Sequence, residues 1–382
     1  MKNLALRAFR IKNFKAVRDS KTIKFTPLTV FIGNNGSGKS SIIEGLETFQ
    51  SIVIQGLDGA MEPWKGMEYI VHKEAMKTGD SSGRPLRLSS PLYFYLSASD
   101  YKARLKINAG EGFNEIFIEH EEYYSQGVEA IRDKAGKVKY EKGTAPLKRT
   151  VREFGPDDTM IGFMEYKKIS SWQFLTLVPQ FMVSPRPQRR AVTEIRLEKD
   201  GSNLAEYLLH IKKKDIAAFN GILETLQYVL PYAGDLQPSI TSELERNVYL
   251  QMVEGDFKLP GWLLSTGTLR FVAIIVLLRN PEPPPLIVIE EIENGLDPRT
   301  INLLVEEIRN AVQSGRTQVI ITTHSPYLLD LLPLSQIVLV ERDEKNHPVF
   351  SRPSDQEELK EWAKTFTPGK LYTMDRLGKG YR

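Results

Sequence analysis

The chain has 382 residues, of which 41% are hydrophobic and 26% charged, so it can bury a substantial core and is not a disordered chain. Its 51 basic and 48 acidic residues give a net charge of +3, which does not single out a nucleic-acid binder. Cysteine is absent, which excludes a disulfide scaffold, a thiolate zinc site and a cysteine nucleophile.

The amino-terminal stretch has no apolar targeting core. The longest apolar run, residues 271–278, is far shorter than the roughly 18 residues that a membrane span needs. These features predict a soluble, cytoplasmic protein with no membrane partner.

The amino-terminal end has the pattern of strands, a loop and a helix. Residues 4–11 alternate in polarity and predict a strand, with which residues 23–25 can pair. The apolar run 28–32 predicts a buried strand that stops at a glycine-rich turn. Residues 41–50 predict a helix, because apolar side chains recur on one face: Ile42, Ile43, Leu46 and Phe49.

The middle of the chain, from about residue 51 to 180, is rich in Gly, Lys, Tyr and Glu. Short alternating runs predict antiparallel strands and hairpins at residues 92–97, 103–107 and 115–119. Beyond a Pro- and Arg-rich linker at 184–190, the patterns predict two helices, a strand and a buried helix: residues 203–209, 216–230, 247–253 and 269–278.

Three further apolar strands are predicted near the carboxyl end, at residues 286–289, 318–322 and 336–340, with an amphipathic helix at 300–314. Continuous apolar strands that alternate with helices indicate a parallel sheet covered on both faces, and therefore an α/β fold. The chain has no internal repeat, low-complexity tract or sustained heptad pattern.

Residues 33–40, GNNGSGKS, fit the phosphate-binding pattern G-x4-G-K-[ST] between the predicted strand and helix. Such a loop turns its backbone N–H groups toward phosphate oxygens, and the helix adds its positive end. Lys39 would reach the β- and γ-phosphates, and the Ser40 hydroxyl would bind Mg²⁺. An accidental glycine-rich turn is the alternative. The predicted nucleotide-binding residues are Asn34, Asn35, Gly36, Ser37, Gly38, Lys39, Ser40 and Ser41.

Two acids, Glu290 and Glu291, end the apolar strand at 286–289. At the carboxyl end of a parallel strand both would face the ligand crevice. Glu290 can hold Mg²⁺ directly or through water, and Glu291 can polarise the water that attacks the γ-phosphate. A solvated acidic turn is the alternative, and a P-loop in the same chain weakens it.

Three motifs resemble elements of ABC-type ATPases. Residues 290–297, EEIENGLD, resemble the Walker B motif and the D-loop, whose final residue, here Asp297, crosses the dimer interface in that family. His324, in the run TTHSP, resembles the H-loop histidine that contacts the γ-phosphate. Residues 264–270, LSTGTLR, resemble the ABC signature, in which Ser265 and Gly267 would cap the γ-phosphate bound by the partner. Taken alone, the signature segment is explained equally well as an ordinary helix capped by Ser265 or Thr268. For His324 the alternative is a capped histidine at a strand end, and its place after the predicted strand QVIIT favours the H-loop.

The branch of that family is indicated by IKNFK at 11–15 and FIGNNGSGKSS at 31–41, which resemble the SMC/RecF group. KDGSNLAEYL at 199–208 is similar to small stand-alone RecF-like ATPases of prokaryotes, often linked to DNA repair or phage defence. The resemblance covers about 1–55 and 200–382, and no Q-loop glutamine can be placed. The sequence departs from the common ABC pattern at Glu290 for Asp, Thr266 for Gly, Thr268 for Gln and Ile292 for Pro.

The resemblance implies an α/β fold: a P-loop NTPase head of the ABC type with a mixed sheet, a β-rich insertion and a helical signature subdomain. It implies four segments: 1–55 with the P-loop, 56–198 as insertion and linker, 199–280 with the signature, and 281–382 with Walker B, D-loop and H-loop. A homodimer, or a higher oligomer of such dimers, would enclose two ATP·Mg²⁺. In each site Lys39, Ser40, Glu290, Glu291 and His324 would act in cis, and Ser265, Gly267 and Asp297 from the partner.

The output of such an ATPase is expected in a separate polypeptide. No heptad runs are present for an SMC-type arm, and the chain after His324 is short for the nuclease domain of OLD-type relatives. Residues 341–344 are more simply a hairpin turn. We therefore predict a sensor ATPase with a separately encoded effector, such as a nuclease, in phage defence. The alternative is a DNA-repair ATPase that binds DNA ends directly. The motifs and the insertion argue against the ATPase subunit of a membrane transporter.

Any DNA contact would come from basic clusters, which are otherwise solvated loops and helix ends. The clusters are Lys148, Arg149 and Arg152; Arg186, Arg189 and Arg190; and Lys212, Lys213 and Lys214. The histidines other than His324 lack metal-ligand spacing, and we interpret them as structural or exposed: His72, His120, His210 and His347.

Overall fold

The computed structural model of the chain describes residues 4–77, 87–142, 145–146, 153–189, 194–242 and 244–378. The chain divides into two compact units. The first comprises Met1–Trp172, Ser335–Lys360 and Leu377–Arg382, and the second comprises Gln173–Leu334 and Glu361–Arg376. No helix in the described ranges combines the length and the apolar character that a bilayer crossing requires.

The first unit begins with β1 (Ala8–Phe14), β2 (Val17–Asp19), β3 (Ile23–Lys24), β4 (Leu28–Ile32) and α1 (Lys39–Met61). The predicted pairing is confirmed, since Phe9 of β1 lies opposite Ile23 of β3. The predicted start of β1 at residue 4 is wrong, because its pairing with the neighbouring strands begins only at Ala8. The apolar face of α1 is buried as predicted, and the helix runs eleven residues further than predicted, to Met61.

The middle of the chain forms β5 (Met76–Lys77), β6 (Arg87–Leu88), β7 (Leu92–Ser97), β8 (Tyr101–Ala109), β9 (Ile116–Ser125), β10 (Val128–Arg132), β11 (Val138–Lys142), β12 (Ala145–Pro146) and α2 (Met160–Ile169). The predicted antiparallel hairpins are confirmed. The strands follow the order β12-β11-β10-β9-β8-β7-β1-β2, with β3 also on β1, so the middle region extends the sheet that the amino terminus starts. Phe94 packs between Phe9 and Phe49, with ring centroids 6.3 and 5.8 Å away.

Helix α2 was not predicted, and its start depends on a distant residue. The carboxylate of Glu121, fully buried in β9, accepts the N–H groups of Met160 and Ile161 at 2.9 and 2.7 Å. Burial raises the pKa of Glu121 to about 7, and Arg132 lies 3.8 Å from the same carboxylate. The local N-cap, Thr159, accepts another N–H of the first turn at 2.6 Å. Only the contact from Glu121, 39 positions earlier, leaves no signal in the local sequence.

The second unit contains β13 (Gln173–Leu175), α3 (Pro179–Met182), β14 (Arg186–Pro187), α4 (Leu204–Lys214), α5 (Ile216–Val229), β15 (Asp235–Ile240), β16 (Asn247–Glu254), β17 (Phe257–Pro260), α6 (Thr266–Leu278), β18 (Leu286–Ile289), α7 (Pro298–Gln313), β19 (Gln318–Thr323) and α8 (Pro326–Asp330). β18 is parallel to β13 on one side and to β19 on the other. All side chains of β18 and β19 are buried, as expected for strands covered on both faces. β14, β15 and β17 form a small antiparallel sheet around β16.

The chain ends with β20 (Ile337–Arg342), β21 (Pro348–Ser351), α9 (Glu357–Trp362) and α10 (Pro368–Thr373). Within the first unit β20 is parallel to β4 and antiparallel to β21. The second pairing confirms residues 341–344 as part of a hairpin. Parallel and antiparallel pairs occur together with covering helices, so the predicted α/β fold with a mixed sheet is confirmed.

Candidate functional site

The GNNGSGKS motif forms the loop between β4 and α1 in the first unit. Gly38 precedes the helix with φ of +112°, a conformation that side-chain-bearing residues rarely adopt, and a Cβ there would lie 2.6 Å from Cγ of Pro348. Lys39 folds over the loop, where its Nζ donates to the carbonyl oxygens of Gly33 and Asn34 at 2.7 and 3.1 Å. The positively charged ammonium group of Lys39 therefore lies against the loop backbone.

The loop side chains fit a phosphate group. The Ser37 hydroxyl is buried and has no hydrogen-bond partner among the described residues. A buried polar atom of this kind costs free energy unless an acceptor or donor reaches it. Ser40 is exposed at the first turn of α1, and Asn34, Asn35 and Gly36 are also exposed. Ser41 is buried beneath them.

Arg342, at the end of β20, is a residue of this site that the sequence did not indicate. Its Nε and Nη2 donate to the carbonyl oxygen of Gly36 at 2.9 and 2.6 Å, and its Nη1 donates to that of Asn346 at 2.5 Å. The guanidinium thereby ties the tip of the P-loop to the β20–β21 hairpin. The contact joins residues 306 positions apart, which no local pattern can reveal.

In the second unit Glu290 and Glu291 follow β18, as predicted. The N–H of Glu290 donates to the carbonyl of Leu175 at 3.0 Å, and its carboxylate accepts the Thr176 hydroxyl at 3.0 Å. β13 therefore holds Glu290 from one side. The sequence did not indicate this support, because β13 has only three residues.

Glu291 has a left-handed backbone, with φ of +47°. Its N–H donates to the hydroxyl of Thr322 at 2.9 Å, so the end of β19 fixes this turn. Its carboxylate accepts the Asn294 amide at 2.5 Å. Such backbone strain in a charged residue persists only where the surroundings impose it, and it is commonest at functional sites. The positive charge of Arg270 in α6 and the Glu291 carboxylate attract each other, which by itself raises the pKa of Arg270. Burial of the guanidinium has the larger effect and lowers that pKa overall.

His324 lies just beyond β19, with its Nε2 3.9 Å from a carboxylate oxygen of Glu291. Glu293 orients this segment, because its carboxylate accepts the His324 N–H at 2.5 Å. The structure thus brings together the predicted base and the predicted H-loop histidine. Thr322, Glu293 and Asn294, which hold them, were missed because their roles depend on the turn conformation.

Ser265, Gly267 and Asp297 each make contacts within the second unit. Ser265 caps α6, accepting the Thr268 N–H at 3.0 Å. Asp297 caps α7, and its hydrogen bond from the Thr300 hydroxyl lowers the pKa of its carboxyl. Gly267 lies directly against the D-loop segment, since a Cβ there would lie 2.2 Å from the carbonyl oxygen of Gly295. The signature and the D-loop segment therefore share a close backbone contact.

This contact makes a stability prediction for Gly267→Ala. The added methyl would clash with a backbone carbonyl, so we expect the free energy of unfolding to fall by about 1–3 kcal/mol. Thermal melts followed by circular dichroism test this. Gly221→Ala in α5 is the matched control, because its Cβ would meet nothing closer than the Arg279 side chain at 3.4 Å and alanine favours the helix. A Gly267→Ala protein that melts at the native temperature would contradict the prediction.

The basic clusters are only partly described. Lys148, Arg149, Arg152 and Arg190 lie outside the described residues. Arg186 and Arg189 both pair with Glu198 at 2.7 Å. Gln50 lies in α1, and its side-chain amide donates to the carbonyls of Ile169 and Trp172 at 2.8 and 2.9 Å.

Comparisons with known proteins agree with this geometry. Residues 5–78 match the family model "AAA ATPase domain", and residues 171–330 match "AAA domain, putative AbiEii toxin, Type IV TA system". A solved SMC head bound to the C-winged helix domain of ScpA is 13% identical, with a TM-score of 0.52 over 91% of this chain and 96% of that one. An SMC head with an extended coiled coil, bound to the C-terminal domain of ScpA derived from Pyrococcus furiosus, is 13% identical, with a TM-score of 0.52 over 94% and 99%.

The chain has the fold of an ABC-type, SMC-like ATPase head. The predicted resemblance to this class is confirmed. One matched segment contains the predicted P-loop, and the other contains the residues predicted as signature, Walker B and H-loop. No curated protein matches the chain. The SMC-like fold accounts for the strand-end position of the acids and for the P-loop between β4 and α1.

Proposed function

We propose that this SMC-like ATPase hydrolyses ATP with Mg²⁺. The observation that carries the proposal is the constrained Glu291, whose backbone is held by Thr322 and whose carboxylate lies beside Asn294 and His324. A fixed, exposed carboxylate of this kind can orient and polarise an attacking water. The P-loop supplies backbone N–H groups and the Lys39 ammonium for phosphate oxygens.

The remaining roles follow the resemblance. Lys39 would bind the β- and γ-phosphates, His324 would contact the γ-phosphate, and Ser40 and Glu290 would hold Mg²⁺. The metal would neutralise charge on the β- and γ-phosphates when bound. Carboxylate and hydroxyl oxygens are the ligands that Mg²⁺ prefers, which supports this pair.

We further propose that ATP closes a homodimer, in which Ser265, Gly267 and Asp297 act on the partner's nucleotide. Ser265 is exposed at the start of α6, a helix of thirteen residues whose positive end can face an anion. Trp262 and Leu263, directly before it, are 53% and 64% exposed. Exposed apolar side chains beside a polar anion-binding turn support an interface there.

We propose that the ATPase acts as a sensor with a separately encoded effector in phage defence. The description of the model that matches residues 171–330 names a Type IV TA system, which supports this role. The charge pattern also favours it over direct DNA binding. Among the described residues of these clusters, Arg189 pairs with Glu198 and Glu206, and Lys214 pairs with Glu282, so part of their positive charge is neutralised.

The test combines ATP turnover with native mass spectrometry of the affinity-purified protein from its own host. We expect Mg²⁺-dependent turnover that DNA ends change by less than about twofold, and a stoichiometric protein partner. Turnover that DNA ends raise at least about tenfold, with a steep salt dependence, would contradict the sensor role and favour the DNA-repair alternative.

A further inference from the structure

A cavity of about 420 Å³ opens on the second unit, between α4, the turn before β16 and the segment around Arg189. Its volume lies within the usual range for small-molecule sites. The polar residues that line it are Gln188, Arg189, Glu206, His210, Lys213 and Arg246. Three of these are permanent cations and one is a carboxylate, so the cavity carries surplus positive charge.

Glu206 and Arg189 neutralise each other at one wall. Glu206 is only 3% exposed, and its carboxylate accepts the backbone N–H of Arg189 at 2.9 Å and lies 3.4 Å from its Nε. Arg189 also pairs with Glu198 at 2.7 Å. The surplus charge of the cavity therefore belongs to Lys213 and Arg246.

Arg246 has unused donor capacity. Its Nη2 donates to the Gln188 side chain at 3.1 Å, but its Nε is buried and has no hydrogen-bond partner among the described residues. Lys213 is exposed at the cavity, and no carboxylate of the described chain lies within ion-pair distance of it. A guanidinium has five N–H donors, so Arg246 keeps donors beyond its bond to Gln188 that an anion in the cavity can accept.

The three consecutive lysines of α4 have different surroundings, as expected for successive residues on a helix. Lys212 lies over the Phe219 ring, 4.6 Å from its centroid, and Lys214 pairs with Glu282 at 2.8 Å. Only Lys213 lines the cavity. The lysine run is therefore not one uniform basic face.

We propose that this cavity binds a terminal phosphate monoester on a nucleotide-sized ligand, with Lys213 and Arg246 as the anion-binding groups. Arg and Lys are the side chains suited to phosphate oxygens, and Gln188 and His210 add hydrogen-bonding groups around them. A compact cavity with two such cations suits one phosphate group rather than an extended backbone, which needs a stripe of charge. This site goes beyond the proposed ATPase function and does not depend on it.

The test is calorimetric titration of the full-length protein with AMP and with a 5′-phosphorylated thymidine tetranucleotide, each against its unphosphorylated counterpart. We expect binding of the phosphorylated probes only. Lys213→Gln and Arg246→Gln should each weaken it at least about tenfold, as expected for loss of a charge-assisted hydrogen bond. The stronger of the two probes identifies the source of the phosphate.

Lys212→Gln and Lys214→Gln are matched controls and should change the affinity less than about twofold, since neither lines the cavity. Lys213 is exposed, so its substitution tests the site even if Arg246→Gln fails to fold. Lys39→Ala should leave AMP binding unchanged. If the Lys39→Ala protein no longer bound AMP, the ligand would belong to the P-loop and the proposal would be overturned. Equal binding of unphosphorylated probes, or equal effects of all three lysine substitutions, would also overturn it.

Discussion

Glu291→Gln is expected to bind ATP with nearly native affinity and to lower kcat for hydrolysis at least about 100-fold, the usual contribution of a general base. The amide keeps the size of the side chain and can still contact Asn294, but it cannot polarise water as a carboxylate does. Steady-state phosphate release gives kcat, and equilibrium titration with ATP gives the affinity.

Glu245→Gln is the matched control, because this glutamate is exposed in the turn before β16. It should turn over ATP at the native rate. If Glu291→Gln hydrolysed ATP at the native rate, Glu291 would not be the general base, and its left-handed backbone would have no catalytic explanation.

Lys39→Ala is expected to weaken ATP binding at least about tenfold and to reduce turnover a further 100-fold or so, because the ammonium binds phosphate oxygens in the ground state and developing charge in the transition state. Its Nζ already stands over the loop carbonyls of Gly33 and Asn34, where phosphate oxygens can compete for it. Equilibrium titration with ATP and turnover assays separate the two losses.

Lys21→Ala provides the control for Lys39→Ala, since the Lys21 side chain is 80% exposed and pairs only weakly with Asp19. Its ATP affinity and turnover should be native. If Lys39→Ala bound ATP with native affinity, GNNGSGKS would not be a nucleotide site. The alternative interpretation, an ordinary glycine-rich turn, would then hold.

The buried strands could be predicted from the sequence, because each is marked by a continuous run of apolar residues. Every side chain in LIVI at 286–289 is buried, and the same holds for the strand that leads to His324. The P-loop could also be predicted from the sequence, because residue types at fixed spacing define it. The strand before it and the helix after it are both present.

Contacts between segments that are distant in the sequence could not be predicted from local patterns. The three-residue β13 is a strand only because it pairs with β18, and two N–H groups at the start of α2 are accepted by Glu121 from another strand. Arg342 reaches Gly36 across 306 positions. In the candidate site the sequence indicated the acids and the histidine, but not the Thr322 hydroxyl that holds the Glu291 backbone. Such support depends on the fold being formed.

The division of the chain into segments 1–55, 56–198, 199–280 and 281–382 stays a prediction. The strands of the middle region pair directly with β1, as Phe9 opposite Leu96 shows. Expression of the segments separately is therefore expected to expose an unpaired edge at β1 and to give insoluble protein.

The central claim, an ATP-dependent dimer with composite sites, is tested most directly by the native mass of Glu291→Gln with and without ATP. The variant should shift from monomer to a dimer that retains two nucleotides when ATP and Mg²⁺ are added, because hydrolysis no longer reopens it. A variant that stays monomeric with ATP bound would contradict the composite-site account, and Ser265, Gly267 and Asp297 would then keep only the structural contacts seen within their own unit.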